Sequence, residues 1–324
     1  MSTKKIAVVA GGFSGEAAVS LRSAQMIMDH IDRTVFEPML ITIDTKGWHA
    51  HTPQGVVEVD KSDFSIPGAQ GKWQCDKAFI IVHGTPGENG ILQGYFELLG
   101  IPHTTGDVFN MALTFNKSAT NQVLNAHGFA SARNIMLRKD DHYSTSDIVS
   151  RLGLPLFVKP NQGGSSLCTS RVNAKEALHA AINMALQADD EVIIENFISG
   201  RELTCGVIVQ QGVPMALPVT EIISENEFFD YQAKYEGKSS EITPAQIDDA
   251  LTAKIQALAE RIFRLLDCRG MIRVDFLVPD GGEPHVIEVN TVPGFSAASI
   301  IPQQAAAIGM SKTQLITAVL NDER

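Results

Sequence analysis

The chain has 324 residues, of which 44% are hydrophobic and 19% charged. That balance is ordinary for a globular protein, and the length exceeds what one hydrophobic core usually serves. The formal net charge of −11 argues against nucleic acid and anionic membrane as partners, and a phosphate ligand must be met by local donors. The four cysteines (Cys75, Cys168, Cys205, Cys268) lack metal-ligand spacing and read as reduced thiols of a cytoplasmic protein. No apolar run reaches the length of a membrane span.

In chain order, Lys5 to Ala10 is a short buried strand that ends in Gly11-Gly12. A helix follows, with Val19, Ala24, Ile27, Met28 and Ile31 as its apolar stripe. Phe36 to Ile43 is a second strand, and residues 45–73 are turn-rich, with minor strands expected. Ala78 to Val82 is a further strand that runs into His83-Gly84, and a helix continues through Leu98. This strand–turn–helix repetition predicts an open parallel sheet with ligands at the strand C-termini, over residues 1–106.

Met111 to Asn125 reads as one helix. Strands are expected at Arg133–Leu137, Leu156–Lys159 and Val192–Glu195, with helices at Asp147–Leu152 and Ala174–Leu186. Residues 107–198 form this second unit, and residues 199–324 a third, starting with a strand at Gly200–Val209. Residues 224–240 are polar and aromatic without periodicity and read as a long loop of the kind that serves as a lid. Pro244 to Leu266 is an amphipathic helix with proline near its first turn.

The richest chemistry lies between Arg273 and Ser299. Two short apolar runs, Val274–Val278 and His285–Val289, flank Pro-Asp-Gly-Gly, a hairpin signal. Strand alternation puts Arg273 with Asp275 on one face, and Glu288 with Asn290 on one face of the next strand. If the strands pair, one sheet face carries a guanidinium, two carboxylates and an amide. Asp275, Glu288 and Asn290 are oxygen donors that suit a hard cation such as Mg2+. The alternative is a solvated hairpin face, although the exit through Pro293-Gly294 is an odd end for one.

Upstream, Gly163-Gly164-Ser165-Ser166 after a strand can cradle phosphate, with Lys159 just before it. It is not a Walker loop, and alone it would be a flexible turn. Glu195-Asn196-Phe197-Ile198 at a strand end can offer its backbone to an adenine edge, and Glu202 can accept ribose hydroxyls. Glu16 and Glu88 follow strands of the first unit, where each could meet a substrate ammonium or complement a helix dipole. His83 is a base, an orienting group or a structural histidine.

These segments together resemble the D-alanine–D-alanine ligase family of the ATP-grasp superfamily, along essentially the whole chain. The resemblance rests on Gly11-Gly12-x-Ser14-x-Glu16-x-x-Val19-Ser20, His83-Gly84-x-x-Gly87-Glu88-x-Gly90-x-x-Gln93-Gly94 and Lys159-Pro160-x-x-x-Gly164-Ser165-Ser166. It also rests on Asp230-Tyr-x-Ala-Lys234-Tyr235, Arg273-x-Asp275 and Glu288-x-Asn290-Thr-x-Pro293-Gly294. It implies an α/β first domain with an open parallel sheet, then a two-part α+β ATP-grasp fold.

By that resemblance, Lys117, Lys159, Ser166 and the lid's Lys234 contact ATP phosphates, Glu195 to Ile198 meet adenine and Glu202 the ribose. Asp275, Glu288 and Asn290 hold two Mg2+, which Mn2+ can replace. Glu16 binds the first D-alanine's ammonium, buttressed by Ser165 and Tyr235, with Glu88 on the substrate side and His83 near the first carboxylate. Arg273 and the Gly294 N–H stabilise an oxyanion, and Ser299 with the Ile300 backbone holds the second D-alanine's carboxylate. The expected reaction joins two D-alanines through an acyl phosphate, for peptidoglycan precursors, in a cytoplasmic homodimer.

A sibling that makes a D-alanyl ester with a 2-hydroxy acid is the alternative, against which Tyr235 speaks, as is a catalytically silent ATP-binding regulator. The sequence departs from the family pattern at Ala17, Asn89 and Cys168, where a larger polar residue, Asp and Gly are usual.

Overall fold

The computed structural model describes residues 3–68, 71–165, 167–224 and 239–322. Three sheets share the molecule. The first contains β1 (Lys4–Gly11), β2 (Phe36–Ile43), β3 (Trp48–Thr52), β4 (Gly55–Glu58) and β5 (Lys77–Ile80), in the order β4-β3-β2-β1-β5. β1 pairs in parallel with both β2 and β5. The expectation of a parallel sheet holds for these three strands. β3 and β4 extend it antiparallel, because their connections are too short for a crossover.

Helix α1 (Ala17–His30) packs on β1. Its buried face includes Ala24 and Ile27 as expected, but also Ser20, Ser23 and Met26. The two serines are buried because each is spent on the site end of the sheet. Ser20 Oγ accepts from the Gly11 N–H at 2.8 Å and donates to the Ile81 carbonyl at 2.6 Å.

The single helix expected over Met111–Asn125 is two, α3 (Val108–Phe115) and α4 (Lys117–Ala126), after α2 (Ile91–Leu98). Asn116 leaves helical geometry at φ −91°, ψ 100°, and its side chain accepts from the Ala119 N–H to cap the second helix. Apolar periodicity runs through the break and hides it. The break points the Lys117 N–H at the Asn161 carbonyl, 3.1 Å away.

The second sheet has the order β6 (Asn134–Arg138), β9 (Glu191–Asn196), β7 (Leu156–Pro160), β8 (Ser170–Val172). α5 (Thr145–Leu152) and α6 (Lys175–Ala185) pack on it around a core of their own with Leu156, Val158, Leu178 and Ile194.

The third sheet has the path β13-β12-β10-β14-β15, with β11 beside β10. These are β10 (Arg201–Gln210), β11 (Val213–Ala216), β12 (Thr220–Ser224), β13 (Ser239–Ile242), β14 (Met271–Val278) and β15 (His285–Asn290). The loop expected over 224–240 is bounded by β12 and β13, and residues 225–238 lie outside the described residues. Helix α7 (Asp249–Leu265) begins five residues later than the sequence suggested. Asp248 caps it by accepting from the Leu251 N–H, and Pro244 stands before it in a turn. Ile255, Ala259, Ile262 and Phe263 give it one buried stripe.

One core joins the first and third sheets. Ile6, Val8 and Phe79 share it with Ile208, Met271, Ile301 and Leu315, the last two from α8 (Ile300–Ala307) and α9 (Lys312–Leu320). Gln304 fixes α8 to the sheet from inside. Its Oε1 accepts from the Gly206 N–H at 3.0 Å, and its Nε2 donates to the Thr204 carbonyl and Thr220 Oγ1, each at 3.1 Å. Gln304 is fully buried, so truncation strands these groups. Q304A should lower stability by about 2–4 kcal/mol in denaturant unfolding.

Candidate active site

Both loops of the first sheet open at the C-terminal ends of β1 and β5, facing the third sheet across a cavity of about 1200 Å3. The second sheet closes the other side with Lys159 and the Gly163–Ser165 loop. A space of that size exceeds a typical single-ligand pocket and fits more than one small molecule.

Glu16 stands at the head of α1 and makes no cap bond there. Its carboxylate accepts instead from Ser165 Oγ at 2.5 Å, a contact between loops 149 residues apart. Gly164 makes this possible, since a Cβ there would lie 2.8 Å from Glu16 Oε2. Ser165 itself adopts φ +56°, and Cys168 φ +54°. Glycine is at ease in that region and cysteine is not, which gives the Cys168 departure a physical meaning. Ser166 lies outside the described residues.

Glu88 is part of the same wall. It accepts from the Gly84 N–H at 2.6 Å, and burial, then the Glu16 charge, pushes its pKa up to about 8. Asn89 donates to Thr85 Oγ1 at 3.2 Å, so this departure is used inside its own turn.

His83 is buried. Its Nδ1 lies 2.8 Å from the Val292 carbonyl oxygen, which can only accept, so Nδ1 carries the proton. Nε2 is then an acceptor for Ser23 Oγ at 3.3 Å, and Ser23 accepts in turn from the Phe295 N–H at 3.1 Å. Burial lowers the His83 pKa, which keeps the ring neutral. The histidine ties the first sheet to the loop before Gly294.

β14 and β15 pair, with Arg273 opposite Asn290 and Asp275 opposite Glu288, so the four side chains share one face as expected. Arg273 donates from Nε and Nη2 to the two oxygens of Asp275 at 2.8 and 2.7 Å, and lies 3.8 Å from Glu288. Burial alone would lower the Arg273 pKa, but the Asp275, Glu288 and Glu202 carboxylates together more than offset it and the net shift is upward. Thr204 Oγ1 also donates to Asp275, at 2.5 Å. Thr204 was not singled out in the sequence, although it alternates with Glu202 along β10 and so shares its face.

Among the described residues no three His, Cys, Asp or Glu side chains converge as a metal cage. Two carboxylates and an amide are instead a partial, all-oxygen set. That set fits Mg2+ completed by phosphate oxygens and water. Asn290 Oδ1 already accepts from the Val292 N–H at 3.2 Å and has a second lone pair to give.

On the second sheet, Lys159 pairs with Glu195 at 2.8 Å, and Asn121 Nδ2 donates to the same carboxylate at 3.2 Å. Lys117 donates to the Gly163 carbonyl at 2.7 Å, and burial lowers its pKa. Asn161, missed in the sequence, holds that corner: its Oδ1 accepts from the Ser118 N–H and its Nδ2 donates to Glu191. Asn196 Oδ1 accepts from the Arg133 N–H at 2.7 Å. The Phe197 ring lies between Phe157 and the Arg171 guanidinium. Ile198 and Glu202 line the same cavity.

At the far end, Ser299 precedes α8, and its Oγ accepts from the Ser296 N–H at 2.9 Å. Gly294 approaches it closely, and Ile300 is buried behind it. Lys234 and Tyr235 lie outside the described residues. Among the described residues, every candidate site residue singled out in the sequence borders one cavity.

Two sheets that hold a phosphate-type loop and an acidic face across one cleft define the ATP-grasp class of fold. Models of the D-ala D-ala ligase N-terminus and C-terminus match residues 5–106 and 123–321. A D-alanine--D-alanine ligase of Phocaeicola vulgatus is 41% identical over 99% of this chain and 99% of its own. The VanG D-Ala:D-Ser ligase of Enterococcus faecalis superposes with a TM-score of 0.89 at 32% identity, covering 98% of this chain and 99% of that one. A D-alanine--D-alanine ligase of Bacillus anthracis complexed with ATP gives 0.79 at 28% identity, over 99% of this chain and 97% of its own. The chain belongs to the D-alanine–D-alanine ligase family.

Glu88 yields a pH test. The folded chain keeps the Glu88 proton up to about pH 8, whereas the unfolded chain releases it near 4.5. The stability this group contributes is complete below the lower value and is lost as pH rises through the window between them. Relative to E88Q, the wild type should lose stability across that window and run level outside it, in unfolding measured over a buffer series.

Proposed function

We propose that the protein joins two D-alanine molecules in an ATP-dependent reaction, giving D-alanyl-D-alanine, ADP and phosphate for peptidoglycan precursors. The observation that carries this reading is the convergence on one cavity of an ammonium-type acceptor (Glu16), a Gly-Ser loop with two lysines, and the Arg273–Asp275–Glu288–Asn290 face.

In this reading Glu16, oriented by Ser165, holds the first D-alanine's ammonium, and neutral His83 borders its carboxylate. Lys117 and Lys159 neutralise the phosphate chain of ATP, with Ser166 and Lys234 completing the phosphate site. The backbone from Glu195 to Ile198 meets the adenine, and Glu202 the ribose. The carboxylate attacks the γ-phosphate, ADP leaves, and an acyl phosphate forms. The second amine then attacks the acyl carbon, and Arg273 with the Gly294 N–H stabilises the tetrahedral oxyanion. Ser299 and the Ile300 N–H hold the second carboxylate, and phosphate departs. Asp275, Glu288 and Asn290 would hold Mg2+, which when bound neutralises charge on the phosphoryl oxygens. Glu88, held protonated in its buried niche, adds no charge beside Glu16.

The reading extends to a cytoplasmic homodimer and to units at 1–106, 107–198 and 199–324, with residues 224–240 as a lid that includes Tyr235.

The test is ADP release from the purified protein with Mg-ATP, comparing D-alanine, L-alanine and D-alanine plus D-lactate, with products identified by mass. Release that depends on D-alanine and yields the dipeptide is expected. Ester as the main product would move the assignment to the sibling reaction, and nucleotide binding without turnover would leave the silent regulator. E288Q should lower turnover by at least about 100-fold, and wild-type phosphate release by that variant would remove Glu288 from the metal site.

A further inference from the structure

The reaction brings two ammonium groups into one cavity, and only one has so far been given a carboxylate. The acids that line the cavity differ in what already satisfies them. Asp275 is held by Arg273, Glu195 by Lys159 and Glu221 by Arg201. Glu88 accepts from the Gly84 N–H, and Asp189 from the Gln162 and Glu191 N–H groups. Glu202 and Glu288 have further partners. Among the described residues, two carboxylates remain whose hydrogen bonds come only from neutral side chains. One is Glu16, bonded by the Ser165 hydroxyl. The other is Glu241, whose Oε2 accepts from Gln303 Nε2 at 3.0 Å.

Glu241 lies on β13, paired with Ile222 of β12, which in turn faces Glu202 on β10. Its side chain is half-buried and lines the cavity together with Arg273, Ser296, Ala298 and Ser299. Gln303 fixes it there, because the same Nε2 also donates to the Ala298 carbonyl at 2.8 Å. The carboxylate is thus tied to the loop that ends at Ser299. A carboxylate has about four lone-pair sites, and among the described residues one is used, by Gln303. Arg273, the cation whose charge reaches it, is committed to Asp275. Burial raises the Glu241 pKa, against the Gln303 hydrogen bond and the Arg273 charge.

We propose that Glu241 is the binding residue for the ammonium of the second D-alanine, so that the amino-acid nucleophile is selected over a 2-hydroxy acid. The inference rests on the ligase reading above. Ser299 and the Ile300 N–H take the carboxylate end of the incoming molecule, and Glu241, fastened to the same loop, takes its cationic end. A 2-hydroxy acid offers the first contact but not the second. This makes Glu241 the counterpart of Glu16, each with a neutral donor to orient it.

The test uses the full-length wild type, E241Q and E241D in steady-state dipeptide synthesis, separating the two Michaelis constants for D-alanine. D-Lactate serves as a competitor for the second subsite. E241Q keeps an oxygen that can accept from Gln303 but removes the charge. It should raise the second D-alanine constant about tenfold, the scale of one charge-assisted hydrogen bond. The first D-alanine constant, the ATP constant and D-lactate inhibition should stay within about twofold, and E241D should recover part of the loss. An unchanged second constant would overturn the proposal. So would an equal loss of D-alanine and D-lactate affinity, which would mean that Glu241 only fastens the loop. A wild type that makes no dipeptide would instead overturn the ligase reading itself.

Discussion

The bidentate pair between Arg273 and Asp275 sets the terms on which the cavity exists. A chain of net charge −11 gathers several carboxylates into one partly dry cleft, and like charges at that spacing cannot all stay ionised unless cations stand among them. The fold supplies the cations within the same walls: Arg273 on Asp275 and Lys159 on Glu195. Glu88 has no ion-pair partner among the described residues, and burial with the Glu16 charge pushes its pKa up to about 8. Charge inside the cleft is thus balanced by pairing in some places and by protonation in others. The groups that balance it are the ones a phosphate chain would engage.

That balance gives the substrate steps a common logic. Of the two described lysines proposed for phosphate, Lys159 already holds Glu195 and Lys117 the Gly163 carbonyl, so in that reading anion binding is an exchange of partners rather than the filling of bare positive sites. Among the described acids of the cavity, Glu16 and Glu241 are the two held by neutral side chains, and both are proposed above to meet the cationic ends of the substrates. In the proposed reading, affinity for the zwitterionic amino acid and affinity for the polyanion are built from separate residues of one surface.

How much of this could be read beforehand depended on distance along the chain. Alternation in two adjacent strands placed Arg273, Asp275, Glu288 and Asn290 on one face, and the register bears that out, because a hairpin is a local object. The break at Asn116 was hidden because apolar periodicity continues through it, and only the cap exposes it. The helix start at Asp249 was missed for a similar reason: Pro244 is a sound first-turn residue, but the cap falls at Asp248. Thr204, Asn161 and Gln303 carry no motif. Their importance comes from which strand or loop lies opposite, with 71, 43 and 62 residues separating some of them from their partners. The Glu16–Ser165 contact became an expectation only through family resemblance.

The core shared by the first and third sheets has a mechanical consequence. Ile6 and Phe79 interlock with Met271 and Leu315, so these two sheets behave as a single anvil. The second sheet keeps its own core and meets the anvil through polar fingertips such as Ser165. Rocking that sheet as a block would keep its own core together and strain hydrogen bonds such as Ser165–Glu16, Lys117–Gly163 and Asn121–Glu195. Access for a large nucleotide can therefore come from leverage about the chain connections near residues 133 and 200, at little cost to the stability of either half.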